Sequence, residues 1–364
     1  MTKTLTYVIF KVMVGVYLLY LVATAGAADP LDRAWKFELE GNYREAVRWY
    51  LRAYEEVPER RALYGLVRTC LRTGRYDVLV PVLKGHLRTH PQDSDVELWL
   101  GEALYRTGDT TGALGVWEKL IGTPSEGRAL VRAAEVLSEG GKYRRIISLV
   151  RPRLTSCRTP EGARLALILG DAYVRTDSLK EAEAVYRKLA EEAPTYADSA
   201  NFLLGEVLFW EGKVEEARRA WEKVAGNPSA SLADEAVGCL LRLDEGSEDA
   251  LRAFALGMLR LEQGRMEDAL AELNAPELSG SSLRDEAALL KAKIYLEQGD
   301  TLKATSELKS LAFSGRMLAP EAMFKLGEVL EGEEAVKIYE EFLRMYPEDV
   351  RAQEVRRRLR EMLN

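Results

Sequence analysis

One turn signature recurs along this chain of 364 residues and constrains its fold more than any other feature. A glycine is followed by a polar residue, then commonly an aromatic or apolar one, and alanine often stands three positions further on. Gly41-Asn42-Tyr43 leads to Ala46, Gly74-Arg75-Tyr76 to Leu79, and Gly108-Asp109-Thr110 to Ala113. The same signature returns at Gly212 with Ala217, at Gly264 with Ala269 and at Gly299 with Ala304. The first three glycines are separated by 33 and 34 residues. Self-similarity at a period of roughly 20–50 residues marks a solenoid, in which each unit buries its apolar face against the next.

The first unit reads as a helix pair. Ala34, Phe37 and Leu39 mark one apolar face before Gly41, and Ala46, Val47, Tyr50, Ala53 and Tyr54 mark another after it at helical spacing. Gly41 permits a tight turn between antiparallel helices, and Pro58 ends the second. A small residue at position 46 lets the two helices approach. Later units repeat this grammar. Small residues stand at Ala34, Gly101, Gly170, Gly205, Gly257 and Gly327, most of them after leucine. An aromatic follows in the second helix at Tyr50, Trp117, Tyr186, Trp221 and Tyr339, and prolines close units at Pro58, Pro91, Pro124, Pro194, Pro228 and Pro347.

On these residues the chain resembles the tetratricopeptide-repeat family. The resemblance implies an all-α fold: a right-handed superhelical solenoid of about nine helix pairs with a C-terminal capping helix, Asp349–Leu363. Departures from the pattern predict irregularities. Pro152 falls within a second helix and predicts a kink. About half a repeat is inserted after Pro228, as one helix over Ala233–Leu243 and an acidic loop over 244–249. The unit at 319–347 is four residues short at its turn, near Glu331-Gly332-Glu333. The expected organisation is therefore an array over 29–230, a joint over 231–249 and a second array over 250–364.

Residues 1–28 read as a secretory signal peptide. Lys3 starts it, residues 4–10 and 12–23 are largely apolar around Lys11, and Ala25 and Ala27 stand at small–x–small spacing. The alternative is an uncleaved membrane anchor over Leu5–Ala23, long enough to span if Lys11 snorkels. Either reading places the repeats outside the cytoplasm. With the pattern of residues 319–349 it suggests resemblance to bacterial envelope members of the family: accessory proteins of the Tol–Pal system, of outer-membrane assembly and of pilus or exopolysaccharide export.

Composition narrows function. The net charge of −7 comes without a basic stripe, which argues against nucleic acid as a partner. Residues 31–91 carry 12 basic and 8 acidic side chains, residues 161–300 carry 16 and 28, so the second half favours a basic partner. Cys70, Cys157 and Cys239 are too few and too scattered for a disulfide framework. His86 and His90, the only histidines, share a helical face without an acidic residue to complete a metal-hydrolase pattern. No metal, cofactor or catalytic residue is expected. The expected activity is protein binding by a non-catalytic scaffold of the cell envelope. The candidate groove is lined by inward positions of first helices: Trp35, Tyr64, Arg68, Tyr105, Arg106, Phe202, Glu206, Phe209 and Trp210. Trp210 is expected to anchor a partner, whereas Trp221 packs the fold. Tyr64 and Arg68 stand where a carboxylate clamp would need lysine and asparagine, so that ligand mode is not supported. The alternative function is a structural subunit of an export, pilus or motility assembly, contacting partners by its outer faces.

Overall fold

The computed structural model describes residues 29–363, so the signal-peptide or anchor segment lies outside the described residues. Twenty-one α-helices and one 3-10 turn account for nearly all regular structure, with no strand among the described residues. The helices fall into two compact units that divide between Val136 and Leu137.

The first unit holds α1 (Pro30–Leu39), α2 (Tyr43–Glu56), α3 (Arg60–Thr73), α4 (Tyr76–Thr89), α5 (Ser94–Arg106) and α6 (Thr110–Lys119), and α7 (Glu126–Glu139) runs across the division. In the second unit come α8 (Tyr143–Val150), α9 (Pro160–Arg175), α10 (Leu179–Glu192), α11 (Ala197–Trp210), α12 (Val214–Ala225) and α13 (Ala233–Glu245). They are followed by α14 (Glu248–Glu262), α15 (Met266–Leu273), the single-turn α16 (Pro276–Ser279), α17 (Arg284–Glu297), α18 (Thr301–Ala312), α19 (Ala319–Val329), α20 (Gly332–Met345) and α21 (Ala352–Leu363). Nearly every helix packs on its chain neighbours, as a helical solenoid requires.

The turn signature has one geometry throughout. Gly41, Gly74, Gly108, Gly141, Gly212, Gly264 and Gly299 all adopt left-handed φ between 63° and 88°. In each turn the next residue's N–H donates to the carbonyl five positions back, as Asn42 does to Phe37 at 2.8 Å and Lys213 to Leu208 at 2.8 Å. This closure satisfies carbonyls at the helix end and favours a residue without Cβ. The turn after α9 reaches the same geometry without glycine: Asp177 takes φ 62°, with the same closing bond from Ser178 to Tyr173 at 2.9 Å.

The pairing of small residue and aromatic is steric. A Cβ on Gly101, Gly170, Gly205 or Gly327 would run into Trp117, Tyr186, Trp221 or Tyr339 respectively. The partner lies 16 residues on in the first three pairs and 12 in the last, the deficit of four read from the sequence. Trp117 donates its indole N–H to the Leu98 carbonyl, and Trp221 to that of Phe202 at 3.2 Å, so the rings are fixed as well as buried. At the C-terminus α21 lays Val355 and Leu359 on Leu326, Tyr339 and Phe342, the cap that the sequence requires.

Two local expectations need correction. Pro152 does not kink a helix, because α8 ends at Val150, where the proline's missing N–H and ring stop it. Pro81, by contrast, sits inside α4, in its first two turns. The acidic loop over 244–249 shrinks to Gly246-Ser247. Glu248 and Asp249 instead form the first turn of α14, where the helix dipole favours acidic side chains and Ser247 caps the Ala250 N–H.

Candidate functional site

In the first unit the candidate residues lie on α1, α3 and α5. Trp35 is 61% exposed and Tyr64 is partly exposed, its ring edge-on to Trp99 with centroids 4.8 Å apart. Arg68 grips Glu38 with two bonds of 2.5 and 2.6 Å, while the Tyr50 hydroxyl donates to the same carboxylate. The Arg68 hydrogen bond holds Glu38 below the usual carboxylate range, against the opposing effect of burial. Arg106 pairs with Glu102 at 2.9 Å, and Arg132 bridges Glu102 and Glu135 while lying over the half-buried ring of Tyr105 and the buried ring of Trp117. Arg68 and Arg106 are thus rungs of an ion-pair ladder along first helices, with Trp35 and Tyr64 as its open aromatics.

In the second unit the candidate residues are covered. Phe209 is 2% exposed and stacks at a tilt on Trp221, and Trp210 is 8% exposed. The exposed-anchor reading of these two side chains is therefore corrected. Helical phase gives the right face, but α14 fills it. Gly246 leaves Leu251 the space that a Cβ would take, and α14 packs on α11 and α9 as well as on α15 and α16. Its Leu251 and Ala255 line a solvent-open cleft of about 970 Å³ with Trp210. At its C-terminal end Arg175 pairs with Glu262 at 3.0 Å and also donates to the Glu262 carbonyl. Gln263 donates to Asp177 at 2.8 Å and to the Val174 carbonyl at 3.3 Å. Glu206 is half-buried in this contact. Burial first, and the nearby Glu262 carboxylate second, push its carboxyl up to about 7 against the counteracting charge of Arg242. Phe202 is half-buried as well.

The open surface of this unit lies on the next stripe of α14. Phe254 and Met258 form one wall of an apolar groove of about 860 Å³, with Leu241 of α13, Leu289, Leu290 and Leu296 of α17, and Met317 before α19. Leu241 is 54% exposed and Met317 86%. Arg242, pinned to Glu286 at 2.6 Å and lying over the Phe254 ring, closes one end, and Lys293 and Glu297 stand exposed at the rim. No signal in the repeat grammar marked this groove, because it is built by the inserted α13 and the returning α14 rather than by regular repeats.

Other candidate chemistry is used in packing. The His86 ring bridges the Tyr54 hydroxyl at 2.8 Å and Asp93 at 3.2 Å and stacks on His90. All three cysteines are free and buried, and burial pushes the Cys70 thiol up to about 12, where it is neither nucleophile nor ligand at neutral pH. Among the described residues no cluster of three metal-ligating side chains occurs, and no helix is long and apolar enough to cross a membrane.

Antiparallel helix pairs, closed by a common glycine turn and locked by a small residue on an aromatic, define a helical-repeat protein. The repeat is the tetratricopeptide repeat, and this chain carries it. Residues 31–78 and 151–197 match one tetratricopeptide repeat model, residues 62–97 a second and residues 95–123 a third. No curated protein matches the sequence. Among solved structures, a chain of the Naa15/Naa10 complex bound to HypK-THB is 16% identical, with 84% of this chain and 56% of that chain covered and a TM-score of 0.40. This chain thus spans little more than half of that relative. A tetratricopeptide repeat protein from Parabacteroides merdae is 15% identical over 83% of this chain and 98% of that one, with a TM-score of 0.35. The C-terminal part of a repeat protein from Cytophaga hutchinsonii is 14% identical over 80% and 98%, with a TM-score of 0.41. All three superpose only loosely.

Proposed function

We propose that this chain is a non-catalytic scaffold of the bacterial cell envelope that holds an apolar-faced segment of another protein in the groove between α13, α14, α17 and α19. Tetratricopeptide arrays are in general non-enzymatic protein-binding scaffolds, and the repeats support that much. One observation carries the choice of site: Leu241, Leu296 and Met317 stand exposed together around one continuous apolar floor of the second unit. A segment with apolar anchors would cover them, and basic and acidic rim positions, Lys293 and Glu297, would orient it. Trp35 and Tyr64 offer a second, smaller aromatic contact in the first unit. The envelope assignment rests on residues 1–28. Amino-terminal sequencing of the native protein checks it, with Ala28 or Asp29 expected as the first residue and a cytoplasmic protein retaining Met1 as the overturning result.

A second reading has its own support. Leu302 and Phe313 of the α18 region are exposed on an outer helix, as a subunit packing by its outer faces would have them. Crosslinking in intact cells separates the two. Leu296→Glu with Met317→Glu should remove the dominant crosslinked partner without lowering the melting temperature. Loss of that partner only with Leu302→Glu would replace the groove by the outer face.

A further inference from the structure

Helix α14 sits where a partner would be expected to sit. It lies along the inward positions of α9 and α11, which repeat phase reserves for ligand contact, and it belongs to neither of those repeats. Its seat is poorly finished. The Trp210 indole N–H is buried without a hydrogen-bond partner, and a solvent-open cleft of about 970 Å³ runs beside it. The Glu206 carboxyl is enclosed with the Glu262 carboxylate nearby; Arg242, Tyr186 and Cys239 are the other titratable groups that sense it. What holds the far end is a polar latch on half-exposed side chains: Arg175 on Glu262, Gln263 on Asp177, and Arg260 on Asp177 at 3.5 Å. Such pairs are individually weak. Asp177 itself occupies the left-handed turn position that seven other turns give to glycine. The latch bonds are what its side chain gains there.

We propose that α14 is a displaceable lid: it occupies the inward surface of α9 and α11, and it can leave that surface without unfolding them. The extended connection Gly246-Ser247 and the left-handed turn at Gly264 bound the moving piece. The closed lid also states the chemistry of what replaces it. The incoming segment is an amphipathic helix with small and branched apolar residues one turn apart, as Leu251 and Ala255 are, and a carboxylate in its last turn for Arg175. This goes beyond the binding role proposed for the apolar groove and does not depend on it.

Hydrogen exchange on the full chain tests the proposal. Residues 250–262 should exchange at least about ten-fold faster than 214–225, because they open sub-globally. Arg175→Ala with Gln263→Ala should raise exchange in 250–262 by about a further ten-fold, leave 214–225 unchanged, and let a fluorescent peptide of residues 247–263 bind. Glu206→Gln should act oppositely, slowing exchange in 250–262 and excluding the peptide. If 250–262 exchanges in step with 160–225 in the native chain, and Glu206→Gln does not slow it, α14 is an integral core helix and the proposal fails. Those two measurements decide the matter even if the latch variant does not fold.

Discussion

At the scale of single residues the seam between helices is a size rule. At Gly101, Gly170, Gly205 and Gly327 the inner helix carries glycine opposite a tryptophan or tyrosine of the outer helix, because the ring fills the space a Cβ would need. Gly101→Ala should therefore cost about 1–3 kcal/mol, and Trp117→Leu in the same chain should recover part of it, as chemical denaturation of the double-mutant set would show. This rule was legible in the sequence, since the pairs are phase-locked. The role of Trp210 was not, because periodicity says which way a side chain points and is silent on what lies across from it. Trp210→Ala should now cost fold stability. Glu206 adds a pH dependence. Burial and the Glu262 carboxylate hold its carboxyl near 7. The folded chain keeps a proton that the unfolded chain has already released. Stability therefore falls as pH rises from the ordinary carboxylate range to neutrality, and is flat beyond it. Glu206→Gln should match the native chain near pH 4 and exceed it by roughly 2 kcal/mol at pH 8, measured by urea unfolding across the range.

Elements show where sequence reading holds and where it slips. The shortened unit was legible because a helix needs its glycine and aromatic at fixed distance, and four missing residues can come only from the turn between α19 and α20. The end of α8 was misread as a kink: Pro152 could bend a helix or stop one, and nothing local decides between them. The connection after α13 was misread for a similar reason, since a run of acids suits a loop and the first turn of a helix equally well. The cap was legible because a solenoid cannot end on an apolar face. Helix α21 pays for that exposed face with Val355 and Leu359, and Arg358 ties it down through the Tyr339 hydroxyl at 3.1 Å and Glu328 at 2.8 Å. Val355→Asp should bury an unpaired charge against Phe342 and cost about 3 kcal/mol or more, with exchange rising across 319–363.

At the scale of the molecule, a solenoid's stability spreads only as far as its contacts do. In the first unit these run between chain neighbours and adjacent first helices, so damage should stay near its origin. Ala46 is fully buried between α1 and its own helix, and Ala46→Trp forces them apart. Exchange should rise over residues 30–90 and remain as in the native chain beyond 250. The second unit breaks the neighbour rule, because α14 returns across α9 and α11. Trp221→Ala removes a ring that is 1% exposed and supports both α11 and the wall on which α14 rests. It should cost about 3–5 kcal/mol. The loss should appear as faster exchange over 160–225 and 248–262 together, although the second segment lies a full repeat away in sequence. The coupling has a direction: removing the seat frees the lid, while freeing the lid leaves the seat folded. A Trp221→Ala chain in which only 197–225 loosens would mean that α14 is held by α15 and its own connections. A strictly neighbour-coupled array would then describe the second unit as well as the first.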